Sequence, residues 1–469
     1  MLKIDEKKLI PLCVAIAMFM ETLDATIVST AIPQIAQHLR ISPILLKFAL
    51  TSYLVSLSIF IPISGWLADK FGTQRIFASA IGVFTVGSIW CGVADSLIML
   101  VSGRIIQGIG GAMMMPVGRL MILRTFPKED LIMTNNYVSI PGLIGPTLGP
   151  LLGGVITTYL SWRWIFFVNI PFGLFGIYLA VKYFTNHKDL AIAKLDIWGF
   201  ILFGLSMAGL ALCLELIGTQ FISHNMHIML SMITLLLFIL YIGHATHNPQ
   251  PLLNLKLFKI STFKITIIGS LLSRLGLGGV PFLLPLLFQV GFKLSPVDSG
   301  LLTFPLALGM MSMKFFVKPL LQYLGFKLAL IANTIFVGIS IMQLGLIDAH
   351  TAPLLIGLSV FIYGILSSLQ FSCLNTLTYA DLDNKAMSQA TSIASTVQQF
   401  SRSIGVSCAA FLLHYFILSK TNLNISSQAF GQTFFIIGII TILSSIIFLQ
   451  LKKDAGQNVS GHLNNSKHE

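Results

Sequence analysis

Fourteen apolar runs follow one another along the chain, near residues 9–33, 46–68, 76–95, 99–124, 136–160, 163–185, 196–218, 226–246, 263–289, 296–317, 326–347, 351–378, 387–416 and 428–451. A helix needs about 20 consecutive apolar residues to cross the hydrocarbon core of a bilayer. Lipid offers the backbone no hydrogen-bond partners, so a crossing segment must satisfy its own amides, as a helix does. The runs predict an all-α polytopic membrane protein. Charge agrees: 10% of the 469 residues are Asp, Glu, Lys or Arg, where a soluble domain carries about 25%. A mean hydropathy of +0.86 is more than a soluble core of this size can use, and it excludes the soluble classes.

In a soluble chain a net charge of +12 would point to nucleic acid. Here its distribution fixes orientation instead, and no nucleic-acid partner is expected. The outer loops hold only Arg40, Lys47, Arg163, Lys293 and Lys420, and Arg104, Arg274 and Arg402 lie inside spans. Every other Lys and Arg falls in the tails, the inner loops or the inner ends of the runs, which places both termini in the cytoplasm and requires an even number of spans. Cys13, Cys91, Cys213, Cys373 and Cys408 sit inside apolar runs at no metal-like spacing, so they read as small core residues. Lys7 and Lys8 before an apolar run resemble a signal peptide, but Glu21 and Asp24 interrupt that run and favour an uncleaved first helix.

A charged island, Gly65–Phe77, joins the second and third runs. Gly65, Asp69, Gly72 and Arg75 supply close packing, a negative charge, a turn and a positive charge. Lys318–Lys327 mirrors it after the tenth run, with Lys318 at Gly65, Gln322 at Asp69 and Gly325 at Gly72. The repeat divides the chain into a six-helix half over 1–185, two additional helices and linkers over 186–250, a second six-helix half over 251–451 and a polar cytoplasmic tail over 452–469. Repeated halves around a midplane site are the usual build of a secondary transporter.

Five segments carry a resemblance: LDATIVSTAIP at Leu23–Pro33, the Gly65 island, RIIQGIGGAM at Arg104–Met113, GPTLGPLLGG at Gly145–Gly154 and WRWIFFVNIP at Trp162–Pro171. In this order and spacing the chain resembles the fourteen-span drug:proton antiporter branch of the major facilitator superfamily. The resemblance covers nearly the whole chain and is specific for the family, not for a substrate. It implies two six-helix halves plus two extra central helices. It also implies a part for Arg104 in proton transfer, a cytoplasmic latch at the Gly65 island and, through Gly145, Pro146, Gly149, Pro150, Gly153 and Gly154, export rather than import.

The residues themselves allow more than one role. Glu21 and Asp24 share a helix face, and carboxyls at membrane depth are expensive enough to face a cavity or a partner. Burial favours the neutral form of a carboxyl and a nearby guanidinium the ionised form, so either can load and release a proton. The alternative is that one of them, Glu21 first, only satisfies polar neighbours; Asp24 carries the motif context. Arg104 keeps its proton; it either tunes a carboxylate or bonds carbonyls. Gly142, Gly145, Gly149 and Gly153 line one helix face and admit a second helix almost backbone to backbone, while Pro146 and Pro150 predict a kink. Asp69 is expected to pair with Arg119 or Arg124.

Trp162, Arg163 and Trp164 read as interface anchors. In the second half the interiors of the spans hold no Asp or Glu but do hold Arg274 and Arg402. With Gln107 and Gln398 these are the substrate-binding candidates, the alternative for the arginines being bonds to carbonyls, Gln398 or Gln399. Glu215 reads as a snorkelling side chain. His244 and His247 form HxxH without an evident carboxyl or thiol ligand, so no metal is expected. There is no HExxH, GxSxG or phosphate loop, and no enzyme is expected.

The function these features imply is a proton-coupled exporter of small amphiphilic molecules, a multidrug antiporter working by alternating access. The alternatives are an exporter of an organic anion or siderophore-like metabolite, and a non-transporting membrane sensor or assembly partner. No cofactor is expected beyond the proton gradient. The partners are a small-molecule substrate, protons and the bilayer, with the chain a monomer in a bacterial plasma membrane.

Overall fold

The computed structural model describes residues 6–125, 131–184, 186, 194–217, 222–382, 386–418 and 427–460. Helix occupies each of the fourteen predicted runs. In order these are α1 (Glu6–Leu39), α2 (Lys47–Phe71), α3 (Thr73–Gly92), α4 (Leu97–Thr125), α5 (Leu131–Tyr159), the single turn α6 (Trp164–Phe167), α7 (Asn169–Tyr183), α8 (Ile197–Leu216), α9 (His224–His247), α10 (Ser261–Leu286), α11 (Pro296–Leu344), α12 (Pro353–Tyr379), α13 (Met387–Leu418), α14 (Ser427–Leu443), and the short α15 (Ser445–Phe448) and α16 (Gln457–Ser460).

Among the described residues, 12 helices are long and apolar enough to cross a membrane. That number differs from fourteen for two reasons. The described apolar part of α5 is short, Leu148–Tyr159, and α11 runs 49 residues through two predicted spans. Helix starts follow local chemistry. Proline opens α11 and α12, where its missing N–H costs nothing. Ser295 caps α11 by accepting from the Asp298 amide at 3.1 Å. Inside the bundle Ser and Thr hydroxyls donate to carbonyls one turn back, as Thr334 does to Leu330 at 2.6 Å, which lets them sit in apolar surroundings.

The Gly65 island is not the loop its charges suggest. Helix α2 continues to Phe71 and α3 begins at Thr73, so Gly72 alone makes the turn, at φ 100°. Gly325 breaks α11 in the same way at φ 68°. Side chains with a Cβ rarely adopt that conformation, and the two glycines fall at the positions that the repeat pairs.

The chain divides into two compact units. The first comprises residues 1–211 and 229–252, the second 212–228 and 253–469. In the first, α1 packs on α4, α5 and α7, while α4 lies against α2 and α3. Its core includes Val14, Phe77, Phe84, Met114 and Leu179. In the second, α10 packs on α13 and α14, and α11 on α12 and α14, around Phe326, Leu330, Leu374 and Phe448.

Candidate functional site

Helix α1 carries two different faces. Thr22, Thr26 and Thr30 recur every four residues, and opposite them on α5 stand Gly145, Gly149 and Gly153. A methyl group on these glycines would lie 2.2, 2.0 and 2.0 Å from the three threonine Oγ1 atoms. The glycine face predicts close helix approach, and α1 makes it. The threonines can face glycine because their hydroxyls are used locally, Thr22 and Thr26 donating to Met18 and Thr22 carbonyls at 2.8 and 3.0 Å. Gly154 and Pro150 are buried and Pro146 is half-buried on the same helix, which continues through both prolines without a break.

The other face of α1 presents Asp24, 0% exposed, to α4 and α7. Arg104, 1% exposed, forms an ion pair with Asp24 Oδ2 through Nη1. The same Nη1 donates to Gln107 Oε1 at 2.8 Å and Nε donates to the Ala49 carbonyl at 3.2 Å. Gln107 Nε2 donates to Asp24 Oδ1 at 3.0 Å and to Ser88 Oγ at 2.7 Å. Asn169 Nδ2 reaches the same two oxygens at 3.2 Å each. The guanidinium also lies over the Tyr53 ring, 4.3 Å from its centroid. The two alternatives for Arg104 are therefore realised together, since it bonds a carbonyl and a carboxylate. A charge so deeply removed from water is sustained only by a partner and by further hydrogen bonds, and five helices supply them.

Gln107, a substrate-binding candidate from sequence, belongs to this cluster. Glu21, one turn before Asp24, is half-buried; the Arg104 and Gln107 bonds go to Asp24. Ser88 and Tyr53 are members that sequence did not single out, and Asn169 stood in it only as part of the Trp162–Pro171 segment.

At the Gly72 turn, Gln74 Nε2 donates to the Ala180 and Val181 carbonyls at 3.2 and 3.0 Å, tying the elbow to the end of α7. A methyl group on Gly72 would meet Asn186 Oδ1 at 1.9 Å. Gly65 has nothing within 4 Å of such a position, so the close packing expected there is absent. Asp69 is half-buried, Arg75 and Arg119 are exposed, and the Arg124 side chain lies outside the described residues.

Three other expectations change. Glu215 does not snorkel: it is 3% exposed and accepts from Ser407 Oγ of α13 at 2.5 Å. Trp162 is buried rather than interfacial, packing on His38 and Phe166. Beside it Arg163 bonds Asp95 at 2.5 Å and the Ala94 carbonyl at 3.1 Å, while Trp164 alone is exposed. His244 does have a carboxylate neighbour, Asp196 at 2.7 Å, and His247 turns instead to the Gly243 carbonyl at 2.8 Å. Burial opposes ionisation of Asp196, but His244 and the Gly199 and Leu252 amides hold its carboxyl below the usual range.

In the second unit Arg274 is buried on α10 with Nε donating to Ser270 Oγ at 2.8 Å. Arg402 on α13 is half-buried and donates to Gln399 Oε1 at 3.4 Å. Gln398, also on α13, is half-buried.

Membrane-length helices that bury an ion pair among polar side chains from several helices define a polytopic protein of the transporter class. The family model described as Major Facilitator Superfamily matches residues 14–406, and the chain belongs to that superfamily. It is similar to the "Putative multidrug resistance protein MdtD" of Enterobacter sp. (strain 638), 36% identical over 454 residues and 95% of each chain. The protein of that name from Escherichia coli O6:H1 is 37% identical over 454 residues, again 95% of each. Among solved structures, a D-xylose-proton symporter aligns with a TM-score of 0.68 at 14% identity, covering 96% of this chain and 98% of that one. A peptide transporter solved with sulfate aligns at 0.69 and 15% identity, covering 96% and 95%. These two likenesses show the fold.

Proposed function

We propose that the protein is a proton-coupled exporter of small amphiphilic molecules, working by alternating access with fourteen membrane crossings and both termini in the cytoplasm of a bacterial cell. The observation that carries this reading is the Asp24 cluster: one carboxylate, buried, whose partners Arg104, Gln107 and Asn169 come from α4 and α7 and are themselves tied to Ala49 of α2 and Ser88 of α3. A proton arriving from outside at Asp24 Oδ2 cancels the charge that holds Arg104. The same proton leaves to the inner water when the pair re-forms. Arg104 keeps its own charge throughout and acts as the counter-ion that Asp24 is released from and returned to. A ligand that favours one of the two arrangements shifts the balance between them, which is the coupling. The multidrug assignment follows the names of the relatives, and the glycine face on α5 agrees with the export motif.

The test is transport by the full-length protein in proteoliposomes under an imposed pH gradient, with ethidium and phthalate as cationic and anionic probes and a pH-sensitive dye trapped inside. Expected is probe movement accompanied by opposite proton movement, both abolished by Asp24→Asn. Probe flux that survives both Asp24→Asn and collapse of the gradient would overturn the proposal. A second reading, export of an organic anion, is favoured by the two arginines of the second unit.

A further inference from the structure

Arg274 and Arg402 come from different helices, α10 and α13, and converge on Phe371 of α12. Their guanidinium carbons lie 4.5 and 6.0 Å from the centre of that ring. Two cations facing one aromatic ring repel each other, and the ring's attraction for each is modest. The charge of Arg274, 1% exposed, needs a counter-charge. Among the described residues the interior of the second unit offers one carboxylate, Glu215, and that is engaged by Ser407. The remaining described acids of that unit are exposed at or beyond helix ends: Asp298, held by Ser295 in the first turn of α11, Asp348, held by Thr351 in the turn beyond it, Asp381 past the end of α12 and Asp454 past the end of α15. Arg274 spends Nε on Ser270, while its Nη1, fully buried, has no hydrogen-bond acceptor among the described residues. A guanidinium edge left open inside a protein is the donor that a carboxylate fits.

We propose that Arg274 and Arg402 form a binding site for an organic dicarboxylate, each guanidinium taking one carboxylate while Phe371 holds both in position. The charges stand on separate helices, which suits two separated anionic groups rather than one. Arginine keeps its charge when buried and presents a planar fork matched to carboxylate. Phosphate shares that chemistry, so the test has to distinguish an organic diacid from inorganic phosphate. The assignment of the ligand as cargo rests on the export reading; its binding does not.

The experiment is equilibrium dialysis of radiolabelled phthalate against the full-length protein in lipid nanodiscs, with phthalamide and inorganic phosphate as competitors. Expected is binding that phthalamide does not displace and that phosphate displaces only weakly. Arg402→Gln should weaken it about tenfold or more, the factor corresponding to 1.4 kcal/mol, and Arg402→Lys should restore part of the loss. Arg274→Gln should do the same; if it fails to fold, Arg402→Gln, at a half-buried position, decides the matter. Phthalate binding unchanged in Arg402→Gln, or equal displacement by phthalamide, would overturn the proposal. Equal displacement by phosphate would overturn the organic class. Because binding needs no gradient, the two readings fail separately. Loss of proton-linked flux with phthalate binding intact removes only the export reading, and proton-linked flux without arginine-dependent binding removes only this one.

Discussion

Replacing Asp24 by Asn keeps the shape of the side chain and removes the charge that Arg104 faces. The guanidinium stays buried, with Gln107 Oε1 at 2.8 Å and the Ala49 carbonyl at 3.2 Å as its remaining acceptors. Removing one partner of a buried ion pair costs about 3–5 kcal/mol, because the other charge is left in a medium that cannot solvate it. Removing both charges avoids that penalty. Asp24→Asn and Arg104→Gln should therefore each lower the unfolding free energy by about 3–5 kcal/mol, and the double variant by less than either alone. Proton-linked transport responds differently: all three variants should be inactive, since none has a carboxyl to protonate beside a fixed cation. Reversible unfolding in mixed micelles gives the energies, and the pH dye in proteoliposomes gives the coupling. Strictly additive destabilisation would refute the pairing argument. A double variant that regained both stability and proton-linked flux would show that the pair only holds helices together.

Other expectations follow from the same geometry. Gly149→Ala places a methyl group 2.0 Å from Thr26 Oγ1; it should lower stability by about 1–3 kcal/mol, with Thr26→Ala restoring part of it, and an unchanged thermal midpoint would refute the tight α1–α5 contact. The stabilisation from Asp196 is in place above the unfolded carboxyl value of about 3.9 and is lost as pH falls through the lower folded value. The thermal-midpoint gap between wild type and Asp196→Asn should therefore close on acidification, and a gap that widens would contradict the sign. Asp69→Asn should impair efflux far more than Gln322→Ala, since only the first copy of the repeat carries a charge there; equal effects would remove the special role of the first elbow.

What could be read from sequence divides along physical lines. A charge in an apolar run is conspicuous because its cost is large, so Asp24, Arg104, Arg274 and Arg402 stand out from the residue order alone. The glycine stripe on α5 and the pairing of Gly72 with Gly325 were legible because each depends on spacing or on backbone conformation. Glu215 was not: whether a carboxyl near a helix end reaches water or a neighbour depends on which way that helix is turned, and a single sequence does not fix rotation. The meeting of Ser88, Tyr53 and Asn169 with the ion pair was not legible for a related reason, because neutral polar side chains are common in such helices and only packing decides which of them meet. The one visible trace was Asn169, noted as part of a signature but given no partner. The Gly65 island misled through its composition, since polar residues continue α2 as readily as they would a loop.

The two faces of α1 are interleaved residue by residue, with Asp24 seated between Thr22 and Thr26. A single inserted residue rotates everything beyond it by about 100° around the helix axis. Inserted between Thr22 and Asp24, it would carry the carboxyl away from Arg104 and swing Thr26 and Thr30 off their glycines in one step. Length in this stretch is therefore constrained more tightly than chemistry. Homologues can be expected to exchange side chains other than Asp24 between residues 22 and 30 while gaining or losing residues only beyond Leu39, where α1 ends.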